Sequence, residues 1–401
     1  MTQTYFQKGF GLKKVIGPQL AQSYSSALVE RIRDLGHAVQ AGGIELRLAR
    51  EFGFCYGVDR AIEYAYEARE KFPDRRIFLS GEIIHNPDVN GRIERLGIAR
   101  LPEAEAPEVR YAGAGPGDVV ILPAFGLPVQ EMEFLKNLGA ILVDTTCGSV
   151  LNVWKNVRNY ARNGFTAVIH GKHYHEETKA TASQALIEPE GHYLCVKDRA
   201  EAQLVCDFIG GRLGRADLLA RLGHATSQDF EPDLHLQRIG LANQTTMLMS
   251  ESMEIQEMLR EAVRERFGEE ELASRFRAFD TICSATQDRQ DAVLKLLGDG
   301  GLDVMVVIGG YNSSNTQALA RICAERLPTF HISGPECIEG QDIRHRPVGG
   351  GGEVRADSWL PAGRIVVGLT AGASTPKNVV GDVIERVIAL RGLAAEDLQP
   401  V

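Results

Sequence analysis

Short runs that are apolar at every position recur along this chain, each followed by a polar turn and then by a stretch with helical spacing. The runs are Ile77–Leu79, Val119–Leu122, Ile141–Val143, Phe165–Ile169, Val304–Ile308 and Ile365–Leu369. A run without polar alternation suits a strand covered on both faces. The stretches between them place their apolar residues on one side. After Cys147, residues Val150, Trp154, Val157 and Ala161 share a face and Gly164 supplies a stop. Val380, Val383, Ile384 and Val387 do the same near the end, with Ser374-Thr375-Pro376 offering a cap residue and a first-turn proline. The pattern predicts α/β architecture built from strand–turn–helix units. The first forty-odd residues read as an extension, with a helix predicted over residues 19–35 and a turn at Gly42–Gly43. Gly349–Gly352, inside a polar stretch from Gly340 to Pro361, predicts a surface loop.

The bulk properties narrow the function. A chain of 401 residues can build two or three domains with their own cores. No apolar run approaches the roughly 20 residues that span a bilayer, and Met1 to Lys14 lacks the apolar region of a secretory signal. A net charge of −9 without a long basic run argues against a nucleic-acid surface. It does not exclude an anionic small ligand, which helix N-termini and histidines can hold. The seven cysteines are odd in number and include no Cys-x-x-Cys pair. A disulfide framework is therefore not expected, and a reducing, cytoplasmic setting is.

Three cysteines share one context. Cys55 closes Glu51-Phe52-Gly53-Phe54-Cys55, Cys147 closes Asp144-Thr145-Thr146-Cys147, and Cys283 closes Phe279-Asp280-Thr281-Ile282-Cys283. Each stands where a strand passes into a helical pattern. At a helix N-terminus, free N–H groups and the dipole favour anionic sulfur. Three such turns facing one point would give a metal centre three thiolates and leave a position open for substrate. Iron–sulfur clusters ordinarily take four thiolates, so a cluster held by three would keep one iron free. A free cysteine is also commonly a small buried hydrophobe, and spacing alone leaves both readings standing. Cys195, Cys206, Cys323 and Cys337 lack this context and read as core or surface residues.

Other strand ends carry polar clusters: Gly81 to Asn86, Ile169 to Thr178, Gln244-Thr245-Thr246, Tyr311 to Thr316, and Thr370 to Ser374. In open α/β sheets, ligands bind beyond the carboxyl ends of the strands. Hydroxyls, amides and imidazoles there could surround phosphate oxygens, while Gly309, Gly310 and Gly372 let backbone N–H groups approach. Helix capping explains Asn312–Asn315 and Ser374 equally well, and half-buried, hydrogen-bonded histidines explain His85 and His175. Glu177, two residues past His175, could donate a proton; a first-turn acid favoured by the dipole is its other reading.

Together these segments resemble the 4-hydroxy-3-methylbut-2-enyl diphosphate reductase family. The resemblance runs from about Leu46 to Arg391 on motifs in the family's order: Gly53-Phe54-Cys55-Tyr56-Gly57-Val58-Asp59-Arg60-Ala61, Glu82-Ile83-Ile84-His85-Asn86, Asp144-Thr145-Thr146-Cys147, His175-Glu176-Glu177-Thr178, Gln244-Thr245-Thr246, Ile282-Cys283-Ser284-Ala285-Thr286, Asn312-Ser313-Ser314-Asn315 and Thr370-Ala371-Gly372-Ala373-Ser374. The segment Tyr5-Phe6-Gln7-Lys8-Gly9-Phe10-Gly11 is similar to the cyanobacterial and plastid branch. The resemblance implies an extension over 1–45 and three similar α/β domains over 46–146, 147–275 and 276–401, set in a trefoil around one 4Fe–4S cluster. It implies Cys55, Cys147 and Cys283 as cluster ligands. It implies His85, His175, Ser313, Ser314, Asn315 and Ser374 as diphosphate contacts, Thr245 beside the substrate hydroxyl, and Glu177 as proton source. The implied reaction removes the hydroxyl reductively and yields isopentenyl and dimethylallyl diphosphate. Electrons would come from a ferredoxin- or flavodoxin-like protein, in the cytoplasm or, in a plant, the plastid stroma. One turn departs from the common family pattern: Phe125 stands where many members have a diphosphate-binding histidine, although the cyanobacterial and plastid branch shows a similar Phe. Two other readings use the same cysteines: a non-catalytic iron–sulfur redox sensor or diphosphate-binding protein, and a zinc protein.

Overall fold

The computed structural model describes residues 4–104, 106–279 and 281–401; Glu105 and Asp280, the latter within the motif ending at Cys283, lie outside the described residues. The chain forms two compact bodies. The first takes in the chain up to Gln7, Asp74–Gly81 and Ala99–Cys283; the second takes in Lys8–Pro73, Glu82–Ile98 and Ser284–Val401.

The first body holds two sheets. One runs in the order Tyr5–Phe6, Ile141–Asp144, Val119–Leu122, Ile77–Leu79, Ile98–Arg100. Its first three pairings are parallel. The other runs Phe276–Ala278, Ile239–Asn243, Thr166–His170, Tyr193–Val196 and is parallel throughout. The strands expected from apolar runs are buried at every position in Val119–Leu122, Ile141–Asp144 and Thr166–His170. That burial is why the sequence shows no alternation there. Separate apolar cores pack around the two sheets, one including Leu101, Tyr111, Val120 and Leu142, the other Val168, Leu194, Leu241 and Ile255.

The second body is organised by a six-stranded sheet. Thr329–Ile332, Val304–Ile308, Ile365–Ala371 and Ile44–Leu48 are parallel. Ala38–Ala41 and Gln399–Pro400 extend it antiparallel. Ala38–Ala41 and Ile44–Leu48 form a hairpin about the expected turn, where Gly42 and Gly43 both take positive φ. A core including Leu46, Val306, Val367, Val383 and Ile384 packs around this sheet.

Three local expectations need correction. The helix expected over residues 19–35 is two helices, Lys13–Tyr24 and Ala27–Asp34, because Ser26 turns its hydroxyl to the Val29 N–H and starts a new helix. The polar stretch from Gly340 to Pro361 is not all loop: Ile338–Glu339, Asp342–His345 and Val354–Ala356 form a small antiparallel sheet, with the glycines in its connection. Ser374 does not cap the last helix. That helix is Lys377–Ala389 with Pro376 as its N-cap residue, so the proline lies just outside the first turn.

Candidate functional site

In the second body, the carboxyl ends of three neighbouring parallel strands meet at one turn. Ile308 pairs with Ala371, and Leu369 with Leu48, so the segments leaving these strands emerge side by side. The turn at Ala373–Ser374 links them. Ala373 donates its N–H to Asn315 Oδ1 at 2.9 Å, and its carbonyl accepts the Cys55 N–H at 3.2 Å. The Ser374 carbonyl accepts from Asn86 Nδ2 at 2.8 Å, and the Ser374 hydroxyl reaches the His85 carbonyl at 3.3 Å. Cys55, His85, Ser313, Ser314, Asn315 and Ser374 are thereby brought together. Cys55 is the N-cap residue of Tyr56–Lys71 and is half-buried.

The approach of these segments demands small residues. A Cβ on Gly310 would meet the His85 carbonyl oxygen at 2.4 Å, and one on Gly372 would meet the Thr316 hydroxyl at 1.9 Å. Ser313 does cap its helix, Ser314–Ala324, accepting the Thr316 N–H at 3.3 Å. Its hydroxyl hydrogen is not used by that bond. Asn315 is buried, and its Nδ2 has no hydrogen-bond partner among the described residues. A buried amide donor without a partner costs free energy unless an acceptor reaches it. His85 donates Nδ1–H to the Glu82 carboxylate at 2.9 Å, so the ring offers a second donor only as imidazolium.

In the first body, a chain of contacts runs from Cys147 to Cys283. The Cys147 N–H bonds the Ala124 carbonyl at 2.8 Å. The ring of Phe125, next in sequence, meets the His175 ring edge-on with centroids 6.3 Å apart. His175 is the N-cap residue of Glu176–Ser183, and its Nδ1 accepts the Glu177 N–H at 3.1 Å. The ring proton is therefore on Nε2, which makes neutral His175 a donor there. The Glu177 carboxylate, 3 % exposed, accepts the Thr245 N–H at 2.6 Å. The Thr245 carbonyl accepts the Cys283 N–H at 3.2 Å. Cys147 is the N-cap residue of Gly148–Arg162, and Cys283 immediately precedes Ser284–Gly298. Both thiols are half-buried.

The other four cysteines are buried. Burial pushes the thiols of Cys195, Cys206 and Cys323 up to about 12. They are held neutral in apolar cores, whereas metal ligands must be thiolates.

Several supporting roles were not legible in the sequence, although Gln244, Tyr5 and Asp144 stand in the motifs quoted from it. Gln244 is a clamp: its Oε1 accepts from the Lys172 N–H and the Thr178 hydroxyl at 3.2 and 3.1 Å, holding the ends of Thr166–His170 and Ile239–Asn243 in register. Arg289 is 4 % exposed and donates to the carbonyls of Gly53 and Phe54 at 2.6 and 3.0 Å, fixing the loop before Cys55. Its signal was an arginine in register with the buried face of that helix, beside Thr286, Gln290, Val293 and Leu297. Tyr5 donates to Asp144 at 2.5 Å, and Asp144 receives the Thr146 N–H at 2.9 Å, so the extension braces the turn that carries Cys147.

Residues 46–388 match the family described as LytB protein. The chain belongs to the LytB family. The 4-hydroxy-3-methylbut-2-enyl diphosphate reductase of a Nostoc species is 46 % identical over 98 % of this chain and 96 % of its own length. The enzyme of the same name from Gloeobacter violaceus is 46 % identical over 98 % of this chain and 94 % of its own. A solved structure of (E)-4-hydroxy-3-methyl-but-2-enyl diphosphate reductase, the terminal enzyme of the non-mevalonate pathway, is 27 % identical. It aligns with a TM-score of 0.52 over 86 % of this chain and 99 % of its own. The structure of the Plasmodium falciparum reductase, 22 % identical with a TM-score of 0.62, shares the fold. The expected mixed α/β fold with parallel sheets and the family assignment both hold. Phe125 is 9 % exposed and packs edge-on against His175.

Proposed function

We propose that this LytB protein reduces 4-hydroxy-3-methylbut-2-enyl diphosphate to isopentenyl and dimethylallyl diphosphate, the last step of the non-mevalonate route to isoprenoids. The observation that carries the reading is the buried Glu177 carboxylate, held by the Thr245 amide in the contact chain that joins Cys147 to Cys283. A carboxyl group fixed in that way can hold a proton for a leaving hydroxyl.

The reaction breaks the C–O bond of the allylic alcohol. Two electrons and two protons enter: one proton leaves with the hydroxyl as water, and the other adds at either end of the allylic system to give the two isomeric products. Glu177 supplies the first proton, and Thr245 sits beside the hydroxyl. The diphosphate is held by His85, His175, Ser313, Ser314, Asn315 and Ser374. The orphaned Asn315 Nδ2 and the Nε2–H of His175 are donors suited to phosphate oxygens. Gly310 and Gly372 let the His85 and Thr316 segments approach beside Asn315.

Cys55, Cys147 and Cys283 would hold a 4Fe–4S cluster. The donor set fits: each is a half-buried thiol at the start of a helix, whereas the remaining four cysteines are buried. A cluster on three thiolates supplies electrons and an iron with an open position. Three α/β domains over 46–146, 147–275 and 276–401, arranged as a trefoil about that cluster with residues 1–45 as an extension, belong to the same proposal. A ferredoxin- or flavodoxin-like protein delivers the electrons. Among the described residues no helix is long and apolar enough to cross a membrane.

The test is turnover of the allylic diphosphate by anaerobically purified protein with a chemically reduced mediator. Formation of both five-carbon diphosphates is expected. Intact substrate after prolonged incubation with iron-replete protein would contradict the reading.

A further inference from the structure

An acidic protein needs a local exception if it is to attract an acidic partner. This chain carries a net charge of −9, yet from Thr145 to His175 it has no Asp or Glu, while Lys155, Arg158, Arg162 and Lys172 fall in that segment. Three of these cations line one groove of about 720 Å³ along the helix Gly148–Arg162, together with Leu151, Trp154 and Phe279. Leu151 and Phe279 are large apolar side chains left 37 % and 49 % exposed. Arg162 is paired with Glu188 at 3.3 Å. Arg158 donates to the neutral Gln184 amide oxygen at 2.8 Å, and both Arg158 and Lys155 are exposed.

The groove is also connected to a thiol that matters. Leu151 donates its N–H to the Cys147 carbonyl at 3.0 Å, so the groove begins one helical turn from Cys147. Trp154 forms groove wall on one side, and packs with Val150 and Ala180 in the small apolar cluster that Cys147 touches. A partner seated on Leu151 and Phe279 is thus linked to Cys147 through packed atoms of one helix.

We infer that this groove is where the electron carrier docks: an acidic, one-electron redox protein whose carboxylates face Lys155 and Arg158 and whose apolar rim meets Leu151 and Phe279. This rests on the reductase reading above. Each encounter passes one electron from the reduced carrier to the enzyme and releases the carrier oxidised. Two encounters supply the two electrons that, with two protons, convert one allylic alcohol to product and water. Complementary charge of this kind mainly raises the association rate and fades with salt.

The experiment compares the full-length, iron-replete enzyme with Lys155→Glu and the Lys155→Glu/Arg158→Glu pair, using two reductants: a reduced acidic plant-type ferredoxin and a small chemical mediator. Carrier-driven turnover at low salt should fall by roughly tenfold or more in the charge reversals, and its salt dependence should flatten. Mediator-driven turnover should stay within about twofold, since no substrate contact is altered. Lys155→Met should fall between wild type and Lys155→Glu. Carrier-driven rates unchanged in the double variant would overturn the proposal, as would equal losses with both reductants. If the wild-type chain turns over with neither reductant, the reductase reading fails. Titration of oxidised ferredoxin against wild type and the double variant then decides the docking face by itself: binding weakened about tenfold supports it, and equal binding refutes it.

Discussion

Replacing Glu177 by Gln separates a structural from a chemical role for that carboxylate. The carboxylate is 3 % exposed and accepts the Thr245 N–H at 2.6 Å. A glutamine oxygen can accept the same bond. A proton-bearing Glu177 and a glutamine are both uncharged acceptors, so stability should change by less than about 1 kcal/mol. The rate should respond far more strongly. A positioned proton donor contributes about 10²–10⁴-fold, or roughly 3–5 kcal/mol of barrier. Glu177→Ala differs again, since it leaves the Thr245 N–H without its acceptor and should cost about 1–3 kcal/mol of stability. The assay is steady-state turnover with a reduced mediator beside urea unfolding and iron content for all three proteins. The expected pattern is a rate loss of about 100-fold or more in Glu177→Gln with iron content intact. Turnover within about tenfold of wild type would refute the proton-source role. Iron loss parallel to rate loss in Glu177→Gln would make the residue structural.

Phe125→His should change substrate affinity by less than about tenfold, or 1.4 kcal/mol, because the proposed contacts already include other diphosphate donors. Phe125→Ala should lose about 3 kcal/mol of stability through the ring contact with His175, read by urea unfolding. Burial pushes His331 down to about 4. Unfolded chains bind that proton below about 6.5 while the folded one does not, so stability falls as pH drops from 6.5 toward 4. His331→Gln should flatten this loss by up to about 3 kcal/mol in urea titrations at pH 7 and pH 4.5. Tyr5→Phe removes a donor from buried Asp144 and should cost about 1–3 kcal/mol. Faster iron loss to a chelator should accompany it, since Asp144 holds the turn before Cys147.

Much of the fold is legible in the sequence because its strands are buried on both faces. Val119–Leu122 and Val304–Ile308 have the same ends in the sequence reading and in the structure. The short strands at or next to the sheet edges were less legible. Tyr5–Phe6, Ala38–Ala41 and Gln399–Pro400 are short and partly exposed, so tertiary pairing rather than composition decides them. The same holds for the small sheet around Asp342–His345, whose polar residues read as loop. In the site, the residue types were visible at strand ends, but their partners were not. That His175 accepts from Glu177, or that Asn86 and Ser374 tie two loops together, depends on contacts between segments distant in the chain. Arg289 was hidden for a related reason: its partners are carbonyls, which every residue has.

The most direct test of the account is the metal and sulfide content of protein purified without oxygen, measured for wild type and for Cys→Ser changes at each of Cys55, Cys147 and Cys283. The account predicts about four irons and four sulfides per chain in wild type, a broad visible absorption that bleaches on reduction, and loss of most of the iron in each of the three variants. Cys195→Ala and Cys323→Ala should keep the wild-type content, because those thiols are buried in apolar cores. Stoichiometric zinc with no sulfide in wild type, or full iron and sulfide in all three ligand variants, would contradict it.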